Sequence, residues 1–270
     1  LQINPEYTDA YRNIAPALSE ALFKKPNPHI QGIITSILDQ KTIAPPYEIA
    51  NAAICILKLQ PHIKNALEMH SAGELKASLN EIILSLSEIP LLLKLMSVCP
   101  MRDLELEGLL TNIRSELLSS INEINARPEI ISFQTALALH CFTNEYIYEQ
   151  TDIETVASEK LEATIHGSLL NGEQPKPQLI LCLATYKALH QYEWCDRLTL
   201  TADIKEVFTQ QIVEPDQERV LKSDIPVLQE ITDEVSSKVR DQYEENPYPR
   251  WINLGLPPKP IPISKNIEKL

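Results

Sequence analysis

Apolar residues recur at helical spacing along most of the chain. Leu75, Leu79, Ile82, Ile83 and Leu86 share one face over residues 74–86, and Leu106, Leu109, Leu110, Ile113, Leu117 and Ile121 do the same over 103–123. Asp103 and Glu105 suit the positive N-terminal end of that second helix. A helix is expected at 47–58, after the Pro45-Pro46 break, and others at 129–148, 153–170 and 177–192. Asn171-Gly172 supplies a stop after 170. Two more are expected near 203–213 and 228–245, the last using Leu228, Ile231, Val235 and Val239. Residues 136–142 are apolar all round, which places their helix at the centre of the domain. The best strand candidate, residues 199–202, is too short to seed a sheet. The expected fold class is all-α, an array of packed antiparallel helix pairs.

Composition supports that reading. The chain has 270 residues, 44% of them apolar, enough for a substantial core. Gly numbers 6 against 20 Pro. Nucleotide-binding α/β folds need clustered glycines at their phosphate turns, whereas prolines can punctuate helices. The formal net charge of −13 makes nucleic acid and anionic membrane poor partners. No signal peptide and no apolar run near 18 residues is present, so a cytoplasmic protein is expected. The sequence starts on a leucine in mid-pattern and is expected to be a piece of a longer protein.

Candidate chemistry is sparse. Cys55, Cys99, Cys141, Cys182 and Cys195 show no C-x-x-C spacing, and most sit in apolar runs, so they read as buried, reduced thiols. His140 and Cys141 are adjacent and point about 100° apart on a helix, which prevents a Cys–His pair. His166, His190 and Cys195 give no ligand spacing, so no metal is expected. Asn144, Glu145 and Tyr146 end the most apolar helix; they either line a cleft or satisfy the helix-end carbonyls.

The densest cluster spans residues 243–251, with Tyr243, Asn246, Pro247, Tyr248, Pro249, Arg250 and Trp251. Pro247 and Pro249 fix their own φ angles and push Asn246 and Tyr248 into extended geometry. The segment is therefore pre-organised, and Arg250 offers a planar fork to a carboxylate or phosphate. The alternative is a stiff strap pinned by its own aromatics on the helical domain. A proline-rich connector, Gly255-Leu-Pro-Pro-Lys-Pro-Ile-Pro262, forms an extended C-terminal tail.

Two phrases carry resemblances. The opening Leu1-Gln-Ile-Asn-Pro-Glu-Tyr7, followed by Ala10-Tyr-Arg-Asn13, resembles the junction between tetratricopeptide repeats, although no 34-residue period continues downstream. Gln242-Tyr-Glu-Glu-Asn-Pro-Tyr-Pro-Arg-Trp251 resembles a "Y-[DE]-x-x-P-Y-P" phrase that precedes the catalytic domain of certain class I S-adenosylmethionine-dependent methyltransferases. Together with the helical middle, which includes residues 136–146, the chain resembles a bacterial family joining tetratricopeptide repeats to such a domain.

The resemblance implies three regions: a tetratricopeptide-like start at 1–45, a regulatory or linking helical domain at 46–245, and a strap and connector at 246–270. It implies a C-terminal methyltransferase domain in cis and a protein substrate as partners. S-adenosylmethionine would be bound by the parent protein and not by this region alone, which would hold no catalytic residue. A free-standing tetratricopeptide-like scaffold that binds a partner protein or peptide is the alternative.

Overall fold

The computed structural model describes residues 8–40, 44–124, 126–226 and 233–245. Among them the regular structure is helical throughout, with no strand. In order, the helices are α1 (Thr8–Ser19), α2 (Pro28–Asp39), α3 (Pro46–Leu57), α4 (Pro61–Ala72), α5 (Leu79–Ser87), α6 (Pro90–Val98) and α7 (Leu104–Ser119). They continue as α8 (Pro128–Thr143), α9 (Asp152–Leu170), α10 (Pro177–Leu183), α11 (Lys205–Phe208), α12 (Glu214–Ser223) and α13 (Glu234–Glu245). The tetratricopeptide-like phrase falls largely, and the proline-rich tail wholly, outside the described residues.

Proline sets many of the starts. Pro28, Pro46, Pro61, Pro90, Pro128 and Pro177 each occupy the first position of a helix. There the missing N–H has no intrahelical partner to lose, and the fixed φ is already helical. Three of these helices, α2, α4 and α6, were not foreseen from periodicity.

Helix α8 runs through the middle. α5 and α6 pack on it, as does α10. Phe133, Ala136, Leu137 and Cys141 enter one apolar core built with α1–α7, while Ile131, Ala138 and Leu139 enter a second core built with α9, α10 and the segment beyond. Serving two cores is the physical reason this helix is apolar on every side. Phe133 and Leu137 are fully buried, and truncating either to alanine would cost about 2–5 kcal/mol.

Two expected helices take a different course. The helix expected over 177–192 ends at Leu183 and gives way to short turns. Leu189, Trp194 and Leu198 all enter the second core. On one straight helix their side chains would point in different directions, so the chain must turn. The segment near 203–213 is instead the first part of a longer bent helix. A 3-10 turn (Ala202–Ile204) and α11 pass into a π-turn (Thr209–Val213) and then α12. Pro215 has no N–H to give the carbonyl four residues back, on Gln211. That carbonyl accepts from Nδ1 of His190 instead, at 2.9 Å.

Candidate functional site

Helix α9 begins with a capping box. Thr151 Oγ1 accepts the Glu154 N–H at 3.2 Å, and Glu154 Oε2 accepts the Thr151 N–H at 3.0 Å. The other carboxylate oxygen of Glu154 faces inward. It accepts from Arg114 Nη2 at 3.2 Å and from the Tyr186 hydroxyl at 2.9 Å. Arg114, on α7, is 2% exposed, and its guanidinium lies 4.6 Å from the centroid of the Tyr186 ring and 5.8 Å from that of Tyr148. A second bond runs from its Nη2 to the Glu149 carbonyl.

The same layer continues into His140, whose Nε2 lies 2.6 Å from the Tyr148 hydroxyl. Burial lowers the His140 pKa to about 4, against the opposing pull of the Met96 and Cys99 carbonyls. Burial also pushes the Tyr148 and Tyr186 hydroxyls up, the Arg114 charge pulling both back. For Glu154 burial acts upward too, but the Thr151 N–H, the Tyr186 hydroxyl and Arg114 outweigh it and hold the carboxyl below its ordinary value. The cluster is buried and ties α7, α8 and α9 to the turn that follows α10.

Outside this layer lies an open cleft of about 560 Å³ between α9 and residues 186–194. Ser158, Glu159, Glu162 and His166 line its α9 side at the spacing of one helix face. Tyr186 belongs to both cleft and cluster. Opposite α9, Tyr192 and Trp194 stack at 4.8 Å with an interplanar angle of 17°. Trp194 Nε1 donates to Glu162 Oε1 at 2.8 Å, fixing the aromatic pair to α9. Lys187 Nζ sits 4.8 Å from the centroid of the Tyr192 ring. Burial, with the Glu162 charge added, raises the Tyr192 pKa, so its hydroxyl stays protonated at neutral pH.

A wider groove of about 920 Å³ lies between α2, α6, α8 and the bent α11–α12 helix. Asp39 and Lys94 pair at 2.7 Å on its rim. Among the described residues no three His, Cys, Asp or Glu side chains converge as a metal site would require, and no helix is long and apolar enough to cross a membrane.

The residues singled out from sequence fall in several places. Asn144 caps α8: its N–H donates to the His140 carbonyl at 3.0 Å, and its Oδ1 accepts the Tyr146 N–H at 3.1 Å. Glu145 and Tyr146 follow in left-handed backbone, at φ 54° and 57°. The Tyr146 N–H closes onto the Cys141 carbonyl at 2.8 Å, and its hydroxyl donates to the Ala184 carbonyl at 3.3 Å. Asn144 also borders a hollow of about 310 Å³ shared with Asp103 and Tyr148, which Glu145 and Tyr146 do not line. Tyr243 belongs to α13, and its side chain is outside the described set. Asn246, Pro247, Tyr248, Pro249, Arg250 and Trp251 lie outside the described residues altogether.

The residues that build the cluster and cleft were missed. Two signals were available: the Thr151-x-x-Glu154 phrase, and an arginine at 114 one helical turn from Leu110 on an apolar face. No family model, no curated protein and no solved structure matches this chain.

Proposed function

We propose that this chain is a non-catalytic helical region that positions a substrate or partner for a neighbouring domain. The observation that carries the reading is a separation of roles. The interior titratable groups pair with one another, Arg114 with Glu154 and His140 with Tyr148, whereas the open cleft is lined by carboxylates and the Tyr192 ring. That division suits recognition. On the resemblance of residues 242–251, the neighbour is the catalytic domain of an S-adenosylmethionine-dependent methyltransferase. Residues 243–251, which begin within α13, then form a strap beside its cofactor cleft. The same reading makes the parent protein bacterial and cytoplasmic and its start tetratricopeptide-like.

The test has two arms. Calorimetry of S-adenosylmethionine with the 270-residue chain is expected to show no binding. In the methyltransferase that carries this region, Arg250→Ala and Tyr248→Ala are expected to weaken cofactor affinity or turnover. Unchanged affinity and turnover in both variants would remove the strap. Methyl transfer by the 270-residue chain alone would remove the non-catalytic role.

A second reading, a free-standing helical scaffold that binds a partner protein or peptide, is favoured by one observation. The cleft between α9 and residues 186–194 is complete within this chain, with no neighbouring domain needed to build its walls.

A further inference from the structure

We propose that the cleft between α9 and residues 186–194 binds a basic side chain, a lysine or arginine presented by a polypeptide partner. A row of acids on a helix is by itself only a solvated face. Here the row is combined with a cavity, an aromatic wall and a cation already seated on that wall.

The volume, about 560 Å³, lies within the range of pockets that hold small ligands and single side chains. Its charge is one-sided. Glu159, Glu162 and Glu193 line it, and among the described residues Lys187 is the one lysine or arginine that does. The side chains of Glu159 and Glu193 are exposed and make no hydrogen bond or ion pair with any described residue. Glu162 gives one oxygen to the Trp194 indole, and its other oxygen makes no hydrogen bond with a described residue.

The aromatic wall is held in place. Trp194 is buried, tied to Glu162 and stacked on Tyr192, so it backs the half-buried Tyr192 ring and holds it at little ordering entropy on binding. Lys187 shows which chemistry that wall accepts. Its ammonium rests over the Tyr192 ring, yet its side chain is exposed and pairs with no carboxylate among the described residues. An ammonium or guanidinium entering between α9 and Tyr192 would meet carboxylates on one side and, on displacing Lys187, the Tyr192 ring on the other. Lys187 would act as the resident competitor. The proposal needs no cofactor and stands apart from the methyltransferase reading.

The experiment titrates the 270-residue chain with a short lysine-rich peptide and with the same peptide Nε-acetylated at every lysine. Calorimetry is expected to show saturable binding of the first, weakened by salt, and at least tenfold weaker binding of the second. Glu159→Gln/Glu193→Gln, both on the surface, is expected to weaken binding about fivefold or more with the circular dichroism spectrum unchanged. Lys187→Met is expected to strengthen it about two- to fivefold, the scale of an exposed cation–π contact. A control, Glu81→Gln/Glu88→Gln, removes equal charge from exposed sites elsewhere. No binding of the lysine peptide, equal binding of the acetylated peptide, or equal weakening by the control pair would each overturn the proposal.

Discussion

Glu154 holds α9 with one carboxylate oxygen and Arg114 of α7 with the other, the second contact at 3.2 Å between side chains that are 7% and 2% exposed. A helix cap and a buried ion pair thus share a single residue. Taking a guanidinium and a carboxylate out of water costs several kcal/mol per ion, and only further hydrogen bonds make such a pair tolerable. Here the Tyr186 hydroxyl, the Glu149 carbonyl and the Thr151 N–H supply them. Tyr186 then passes the constraint outward, since it also forms part of the cleft wall.

Removing one partner should therefore be severe. Arg114→Ala leaves Glu154 buried opposite no cation, and a loss of about 3–5 kcal/mol is expected in urea denaturation. Arg114→Met with Glu154→Gln removes both charges while keeping volume and part of the cap. That double variant is expected to be less destabilised than the sum of the two single variants. Strict additivity would show that the two side chains do not interact.

Gln211 should behave as a second structural pin. It is fully buried in the π-turn; its amide donates to the Ala138 and Ala184 carbonyls at 3.2 and 3.3 Å, and its oxygen accepts the Leu189 N–H at 3.1 Å. Gln211→Leu leaves the Leu189 N–H without its partner and takes one donor from the Ala138 and Ala184 carbonyls, the second of which keeps the Tyr146 hydroxyl. A loss of about 1–3 kcal/mol is expected in the same assay, with helical content retained. A loss under about 0.5 kcal/mol would mean that another group replaces the amide.

These two residues show what the sequence could and could not convey. Periodicity located α7, α8 and α9 because apolar spacing alone decides which face is buried. The central place of α8 was legible for the same reason. Arg114 and Gln211 escaped, since a polar residue's burial depends on partners 40 and 73 positions away, beyond any local window. The cleft escaped with them: its two walls meet only because residues after Leu183 turn back, where a continuous helix was expected. Residues 243–251 were conspicuous in sequence because proline and aromatic residues are locally unusual, a signal that needs no tertiary contact.

The buried histidine fixes the pH dependence over one window. His140 has a pKa lowered to about 4, while an unfolded histidine titrates near 6.5. Between those values the unfolded chain binds a proton that the folded chain refuses, so stability falls as pH falls. The full contribution, present above about pH 6.5 and gone below about pH 4, is roughly 3 kcal/mol. Glu154 acts lower: its depressed pKa contributes stability that is present above the unfolded carboxyl value and lost as pH drops through the folded one. Comparing wild type with His140→Gln by urea titration from pH 7 to pH 4 isolates the first window. Their difference in stability is expected to shrink by about that 3 kcal/mol, and a constant difference would show that His140 titrates normally.

Thiol reactivity tests the sealing of the core from outside. Burial pushes the Cys99 thiol up to about 11 and the Cys141 and Cys182 thiols up to about 12, so almost no thiolate forms at pH 8. Cys55 and Cys195 are half-buried, at positions where a reagent can reach sulfur with less opening. Cys195 is slowed further, because burial and then the neighbouring Asp196 both raise its pKa. With an aromatic disulfide reagent at pH 8, the fully reduced native chain is expected to release at most two equivalents quickly. The remaining three should appear at the rate of unfolding, and all five together in urea. Fast reaction of Cys141 or Cys182, traced by peptide mapping, would mean that α8 and α10 open without global unfolding, and that the Arg114 cluster between them does not hold those helices shut.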